Sequence, residues 1–343
     1  MKPTWAVLVG VSLLTLALLG GCGGHDGQVP VGPGPGPAGA TFVGLAVCAT
    51  CHSGPANAYV SGSPHGKNFH DPASNSAHAD LINGFGGSCA PCHVTGFGEP
   101  SGWKSSAETP QLDNIGCEEC HGAGSTHAGA PSGSNINLIP DAQTTCWDCH
   151  VPTYKLLRSG PPPPTTDATL AATAPGKVSP HYRQTPFLLG YSGFDRDQVQ
   201  GPHAQIDNTC VTCHLNPEDS SRKHGATGLD VDYSACAACH GSAQAAQALF
   251  ESFDEEINAE LVQIGGANPS DPTEPDESAS GGMLAAFATA HNIDLNTNAN
   301  PNDPFVKAYK AARYNYIFII GGKATHNPPF AEKLIDDTKK LLQ

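Results

Sequence analysis

The chain has 343 residues and a formal net charge of −15, with 39 glycines, 30 prolines and only 7% aromatic residues. This acidic balance argues against nucleic acid and anionic membrane surfaces as electrostatically favoured partners. With so many glycines and prolines, side chains alone are not expected to build a conventional core along the whole chain.

Residues 1–21 have the features of a signal peptide. Met1 and Lys2 form a positive start, and the apolar run from Ala6 to Leu19 has the length of a secretory hydrophobic region. The run ends in Leu19-Gly20-Gly21-Cys22, which resembles the lipobox of bacterial lipoproteins. The resemblance implies lipidation of Cys22, and Gly23 in place of an aspartate implies the outer membrane. The alternative is ordinary cleavage nearby that leaves Cys22 as a free thiol.

Residues 22–40 are predicted to be a tether between the lipidated cysteine and the folded body. Their glycines and prolines, including the run Gly32 to Pro37, can bury almost no surface. As a flexible coil the tether would span roughly 20–25 Å, and as a polyproline II helix up to about 56 Å. His25 lies in this tether and is not counted as a ligand.

The pentapeptide Cys-x-x-Cys-His occurs six times, and the copies are numbered motif 1 to motif 6 in chain order. It is the attachment signature of c-type haem, in which two thiols add to one porphyrin and the adjacent histidine binds the iron. The cysteines are Cys48, Cys51, Cys89, Cys92, Cys117, Cys120, Cys146, Cys149, Cys210, Cys213, Cys236 and Cys239. The proximal histidines are His52, His93, His121, His150, His214 and His240. Six copies use all but one of the 13 cysteines, which predicts six haem c groups rather than zinc sites or disulfides.

The spacing of the motifs predicts the domain organisation. Four motifs lie in residues 41–158, a predicted tetrahaem unit, and two lie in residues 205–343, a predicted dihaem unit with carboxy-terminal helices. Residues 159–204, with Pro161 to Pro164, are predicted to be a Pro-rich seam between them. Covalent haems can act as staples for a chain with a limited core of its own.

Helical periodicity is strongest after motif 6. Ala243 to Ile264 lacks glycine and proline and has apolar residues at helical spacing, before the polar stretch Gly265 to Gly282 breaks the pattern. Asp303 and Pro304 predict a helix start, and that helix should end at Gly321-Gly322. Phe330 to Leu342 predicts a short final helix, and no stretch shows sustained strand alternation. We therefore expect a mostly α fold with extensive loops, organised around a packed haem chain.

Histidine is the expected ligand on the second face of each iron. Of the methionines only Met283 remains once Met1 is removed, so two imidazoles per iron are predicted. Such ligation gives a lower potential than His/Met ligation. Outside the motifs and the tether the candidates are His65, His70, His78, His127, His181, His203, His224, His291 and His326.

The first part of the chain carries an extended pattern around its motifs. Tyr59 and Ser63-Pro64-His65 follow motif 1, the segment Cys89 to Gly96 reads Cys-x-x-Cys-His-x-Thr-Gly, and Gly116 to His127 reads Gly-Cys-Glu-x-Cys-His-Gly-x-Gly-Ser-x-His. This pattern resembles the tetrahaem electron-carrier cytochromes that serve hydroxylamine oxidoreductase. The resemblance implies that His127 lies opposite His52 on the first haem, and that His65 lies opposite His121 on the third.

The same resemblance leaves two haems less defined. In that family the second haem can be five-coordinate, which would leave the iron on His93 open. His70 and His78 lie between motifs 1 and 2 in this sequence, and either could close that site. His181 is the most accessible candidate for the fourth haem.

The carboxy-terminal part carries a second pattern. Arg313-Tyr314-Asn315-Tyr316, followed by His326-Asn327-Pro328, resembles the terminal helix and His-Asn-Pro element of multihaem reductases and surface cytochromes. There the histidine is a distal ligand, which implies that His326 closes a haem of the dihaem unit. His203 and His224 compete for the other haem, and His291 is the weakest candidate.

These features predict electron transfer by a lipid-anchored envelope or cell-surface protein, with no catalytic residue. The expected partners are other redox proteins or an external electron acceptor, either of them favoured if basic, because the chain is acidic. An alternative is an oxidoreductase of small nitrogen or sulfur compounds with one open haem, although no Cys-x-x-Cys-Lys motif is present. A second alternative is a subunit of an extracellular filament, against which Cys22 and the tether argue.

Overall fold

The structure is a computed structural model, and it describes residues 37–63, 65–67, 90–137, 145–150, 167–180, 183–191, 193–194, 198–215 and 231–343. Several predicted residues lie outside these ranges: Cys22, Cys89, His70, His78, His181 and His224. The signal peptide, most of the tether and the prolines 161–164 also lie outside them.

The described residues form α-helices joined by loops. The helices are α1 (Leu45–Ala49), α2 (Ser53–Gly62), α3 (Cys117–His121), α4 (Ser125–Gly129), α5 (Trp147–His150), α6 (Asp167–Ala172), α7 (Gln184–Leu188), α8 (Thr209–His214), α9 (Tyr233–His240), α10 (Ala243–Gly265), α11 (Gly282–Ala290), α12 (Pro304–Gly322) and α13 (Pro328–Leu341). Short 3-10 turns occupy His65–Lys67, Ala90–Cys92, Pro110–Leu112, Gly133–Asn135, Pro175–Lys177, Pro202–Gln205 and Ala324–His326.

Strand structure is sparse in the part of the chain that the structure describes. Strands β1 (Ala267–Asn268) and β2 (Asp271–Pro275) pair as a two-stranded antiparallel sheet. A single further bridge joins Val94 to Asp113. The prediction of a mostly α fold with extensive loops is confirmed. Within the same ranges no helix is both long and apolar enough to cross a membrane.

The first three motifs lie among short helices with a small core. Ala90, Val94, Trp103 and Leu112 form a buried cluster against which Phe42 packs. Polar contacts supplement it, since the indole nitrogen of Trp103 donates to Asp113 Oδ1 at 2.7 Å. So small a cluster fits the expectation that covalent haems supply much of the apolar packing in this half.

Helix α12 is the centre of a much larger carboxy-terminal core. Its start is the predicted one, because the side chain of Asp303 accepts from the backbone nitrogens of Phe305 at 2.8 Å and Val306 at 3.1 Å. Tyr309 and Tyr316 are fully buried, and buried residues cover nearly the whole circumference of the helix. A helix that is buried all round must be enclosed by other elements. Helices α7, α10, α11 and α13 contact it.

The other two predicted helices are confirmed to within two residues as α10 and α13, whereas α11 is not predicted from sequence. It begins at Gly282, directly after Gly281, at the end of a polar stretch whose sequence looks like a loop. In the structure Gly282 has φ of +57°, and an added Cβ would collide with the carbonyl oxygen of Gln263. The glycine therefore lets α11 begin directly against the end of α10, where Leu284 is fully buried.

Described residues from the predicted seam pack into this carboxy-terminal core. Leu170, Val178 and Phe187 belong to its buried cluster. The buried Lys310 ammonium of α12 donates to the carbonyl oxygen of Leu170 at 2.9 Å and to Asn298 Oδ1 at 2.6 Å. Apolar side chains downstream of the proline run thus join this segment to the helices that follow it.

Candidate haem-binding sites

The motifs lie on short helices or tight turns, which suits their chemistry. Motif 3 coincides with α3, and motifs 4, 5 and 6 lie in or at α5, α8 and α9. Motif 1 begins within α1, and the described part of motif 2 contains the 3-10 turn Ala90–Cys92. On a helical turn, residues three and four apart share one face. Both thiols and the histidine of a motif therefore project toward the same side. All described cysteines are free of disulfides, as haem attachment requires.

Four motif histidines each lie beside a histidine from elsewhere in the chain. The ring centres are 6.3 Å apart for His52 and His127, 5.9 Å for His65 and His150, 6.2 Å for His203 and His240, and 6.2 Å for His214 and His326. Each pair thus combines one expected proximal ligand with one expected distal candidate.

The spacing within these pairs fits a shared metal ion. A metal–imidazole bond is about 2.0 Å, and a ring nitrogen lies about 1.1 Å from its ring centre, so two imidazoles on opposite sides of one ion have centres roughly 6 Å apart. All four observed distances agree with that value. The pairs therefore fit haem iron held between two histidines.

Hydrogen bonds at the other ring nitrogen orient these histidines. Five ligand candidates place Nδ1 next to an acceptor oxygen: His121 on Asn137 O at 2.5 Å, His127 on Ser132 O at 3.0 Å, His150 on Gln184 Oε1 at 3.0 Å, His203 on Thr325 O at 3.1 Å and His326 on Gly322 O at 2.6 Å. An Nδ1–H donor leaves Nε2 with a free lone pair, the arrangement that ligating histidines adopt.

Burial favours the neutral imidazole at His121, whose pKa it lowers, and at His65 and His326. It lowers the pKa of His65 to about 4, with the neighbouring His150 adding to the effect. It also lowers the pKa of His326 to about 4, while the bond to Gly322 O acts in the opposite direction. Only the neutral ring can offer a nitrogen lone pair to iron, so all three are held in the binding form.

Cysteines from different motifs lie against one another. A hydrogen bond with Cys117 of motif 3, followed by burial, raises the pKa of Cys48 in motif 1 above its usual range. A hydrogen bond with Cys210 of motif 5, again followed by burial, raises the pKa of Cys146 in motif 4. Motif 1 is thus adjacent to motif 3, and motif 4 to motif 5.

Further contacts connect the remaining motifs. Gly96, three residues after motif 2, donates its N–H to Glu119 Oε2 of motif 3 at 2.7 Å, so motif 3 adjoins the segment of motif 2. Cys149 Sγ of motif 4 lies 3.7 Å from the carbonyl oxygen of Pro91 in motif 2. Helices α8 and α9, which hold motifs 5 and 6, contact each other. Motif 1 therefore adjoins motif 3, and motif 3 adjoins the segment of motif 2. Motif 2 adjoins motif 4, motif 4 adjoins motif 5, and motif 5 adjoins motif 6.

The structure places some candidates as the resemblances imply and one differently. His127 lies opposite His52, and His326 lies opposite a histidine of the dihaem unit, with His203 facing the other. His65 lies against His150 rather than His121. A pattern around motifs 1 to 3 carries no information on where motif 4 packs, and that packing brings His150 to His65.

His291 is occupied in another way. Its ring stacks on Phe305 with centres 3.7 Å apart and also contacts Phe287 at 4.4 Å. Both of these neighbours are phenylalanines, and neither belongs to a Cys-x-x-Cys-His motif. This environment agrees with the ranking of His291 as the weakest candidate for a distal ligand.

Three residues around the sites were not singled out from sequence. Glu118 lies inside motif 3, Gln184 accepts from His150, and Asn327 is fully buried beside His326. The only feature of the sequence that marks Glu118 is its place in the extended motif Gly116 to His127. Asn327 likewise belongs to the quoted His-Asn-Pro element, whereas nothing in the sequence marks Gln184.

Comparisons with known proteins agree with this chemistry. Residues 47–122 match the family described as cytochrome c554 and c-prime. The chain is 32% identical over 99 residues to cytochrome c-554 of Nitrosomonas europaea, an alignment that covers 26% of this chain and 42% of that protein. The chain therefore spans less than half the length of this curated relative.

One solved structure also resembles the chain along most of its length. The outer cell wall cytochrome OcwA is 15% identical, and the match covers 88% of this chain and 100% of that one. The TM-score is 0.33, at which the likeness carries no structural argument.

Proposed function

We propose that this multihaem c-type cytochrome carries electrons through six covalently attached haems, most of them held between two histidines. The observation that carries the proposal is the set of four histidine pairs at 5.9–6.3 Å, each joining a motif histidine to a distant one. A closed iron has no position for substrate, which favours a carrier over an enzyme.

Haem c supplies reversible one-electron chemistry when bound. The chain itself contributes the axial imidazoles, the acceptors at Nδ1 and the degree of burial around each site. Acceptors at Nδ1 make the imidazole a stronger electron donor, and this lowers the potential of a bound metal. These are the features by which the protein sets the potential of each site.

The spatial order of the motifs supports a continuous route. Motifs 1 and 3 adjoin, motif 3 adjoins the segment of motif 2, and motifs 2, 4, 5 and 6 adjoin in succession. Motif 4 therefore links the first motifs to the last two. An acidic chain favours a basic redox partner or a positively charged acceptor surface at either end of this route.

Haem count and spin state test the proposal together. We expect six haems to remain covalently attached after acid–acetone extraction, as counted by mass spectrometry. We expect electron paramagnetic resonance of the oxidised protein to show low-spin iron at the four paired sites. Four or fewer attached haems would contradict the count. A high-spin haem that binds nitrite or hydroxylamine would instead favour the alternative of a small-molecule oxidoreductase.

We further propose that the protein is exported and anchored to the outer membrane by lipids on Cys22. Cys22→Ser should then release a cytochrome with its full haem content into the soluble fraction. Firm anchoring needs more than one acyl chain, so loss of the lipidated residue removes it entirely. Fractionation in high salt, followed by haem absorbance, measures the release.

Gly23→Asp is the matched control for this anchor. It keeps the lipidated cysteine and, by resemblance to bacterial lipoproteins, should redirect the protein to the inner membrane without releasing it. If Cys22→Ser remains with membranes in high salt, the anchor lies elsewhere in the chain.

A further inference from the structure

Glu118, the second residue of motif 3, is a buried carboxylate with only 3% of its surface exposed. It accepts the backbone N–H of Val43 at 2.9 Å and 3.0 Å, one bond to each oxygen. It also accepts the N–H of Gly44 at 2.7 Å and the N–H of Gly124 at 2.7 Å. Four acceptor contacts and no donor role are the pattern of an ionised carboxylate.

These donors lie at the starts of two different helices. Gly44 is the N-cap residue of α1, which leads into motif 1 and His52. Gly124 is the N-cap residue of α4, which contains His127. One side chain within motif 3 therefore joins the segment that holds the proximal histidine of motif 1 to the segment that holds its partner, 6.3 Å away.

The burial of Glu118 increases the importance of its hydrogen bonds for the position of α1 and α4. Among the described residues no cationic side chain forms an ion pair with Glu118, and within them the backbone donors offset the cost of burying its charge. Hydrogen bonds from N–H groups to a charged acceptor are roughly twice as strong as neutral ones. Helices α1 and α4 are only five residues each, so they have little packing of their own to fix their positions.

We propose that Glu118 is a positioning residue for the haem of motif 1, which keeps His52 and His127 at the separation that one iron needs. The proposal rests on the proposed function, since it assumes that these two histidines share a haem. It assigns a carboxylate of the third motif to the assembly of the first haem. Substitution of Glu118 should therefore affect the haem of motif 1, although Glu118 itself lies in motif 3.

Two variants distinguish the effect of side-chain length at residue 118 from the effect of its charge. Glu118→Asp keeps the charge but shortens the side chain, and Glu118→Gln keeps the length but replaces one acceptor oxygen with an amide donor. In both we expect one haem of the six to gain high-spin character, and one more haem per chain than in wild type to bind carbon monoxide when reduced. Electron paramagnetic resonance and carbon monoxide titration measure these changes, and neither depends on transfer activity.

Glu119→Gln is the matched control, because Glu119 is the adjacent carboxylate of the same motif and accepts from Gly96 N at 2.7 Å. This bond holds the segment after motif 2 rather than the start of α1 or α4, so carbon monoxide binding should stay at the wild-type level. His127→Ala identifies the affected haem. Alone it should open one site, and combined with Glu118→Asp it should open no second one.

Wild-type carbon monoxide binding in both Glu118 variants would overturn the proposal, as would an additive effect in the double variant. If the Glu118 variants attach fewer haems than wild type, peptide mapping identifies the motif that lacks its haem. Haem loss confined to motif 1 supports the proposal, and loss at motif 3 or across all motifs overturns it. A wild-type protein with four or fewer attached haems would contradict the proposed function instead, so the two failures are distinguishable.

Discussion

His326→Ala is expected to open one haem completely. His326 lies 6.2 Å from His214 of motif 5, and its Nδ1 is held by Gly322 O at 2.6 Å. Alanine removes the imidazole, and the other histidines near it, His203 and His150, are already paired with His240 and His65. We expect one of the six haems to become high-spin and to bind carbon monoxide on reduction. Electron paramagnetic resonance measures the spin state, and an optical titration with carbon monoxide measures the binding.

His291→Ala is the control for this experiment. It also removes a histidine from the carboxy-terminal half, but His291 stacks on Phe305 rather than on a motif histidine. Its haem spectra should equal those of wild type. If His326→Ala remains wholly low-spin, or if His291→Ala opens a haem, the assignment of ligands in the dihaem unit is incorrect.

Asn327→Ala is expected to cause the largest loss of stability. The amide of the fully buried Asn327 donates to the carbonyl oxygens of Phe187 at 3.2 Å, Leu188 at 3.2 Å and Val199 at 2.7 Å. Its Oδ1 accepts from Phe330 N at 3.3 Å and caps α13. Losing the cap and leaving buried carbonyls without this donor should reduce the free energy of unfolding by about 3–5 kcal/mol.

Denaturant unfolding of the haem-loaded protein, followed by far-ultraviolet circular dichroism, measures this loss. Asn258→Ala is the control, since its amide bonds the side chains of Asp254 and Glu274 near the surface. We expect a change within about 0.5 kcal/mol for the control. Asn327→Asp should be at least as damaging as alanine, because it turns carboxylate oxygens toward carbonyl oxygens. If both Asn327 variants change the free energy of unfolding only slightly, the hydrogen bonds of Asn327 do not stabilise the fold as proposed.

The helices that can be predicted from sequence are those whose signals are local. Asp303 and Pro304 start α12 through bonds and torsion angles that involve only their nearest neighbours, so the sequence suffices. Helix α11 depends on Gly282 fitting against Gln263, which is a tertiary contact and has no local signal.

The candidate sites divide in the same way. Each proximal histidine follows its cysteines directly, so a motif search finds it. Whether His65 faces His121 or His150 depends on how distant segments pack, and the sequence pattern around the first three motifs cannot decide it. Glu118 shows the intermediate case, because its position in a motif is visible but its backbone partners are not.

The acceptors at Nδ1 bear on which genetic changes can retune a single haem. At Asn137, Ser132 and Thr325 the acceptor is a main-chain oxygen, which every amino acid supplies. Sequence drift at these positions therefore preserves the tautomer of the ligand. Gln184 differs from the other described acceptors because its side chain provides the oxygen for His150. A point mutation there can remove the acceptor. Among the described sites, the proposed haem of motif 4 is therefore the one whose potential a single side-chain substitution can change most directly.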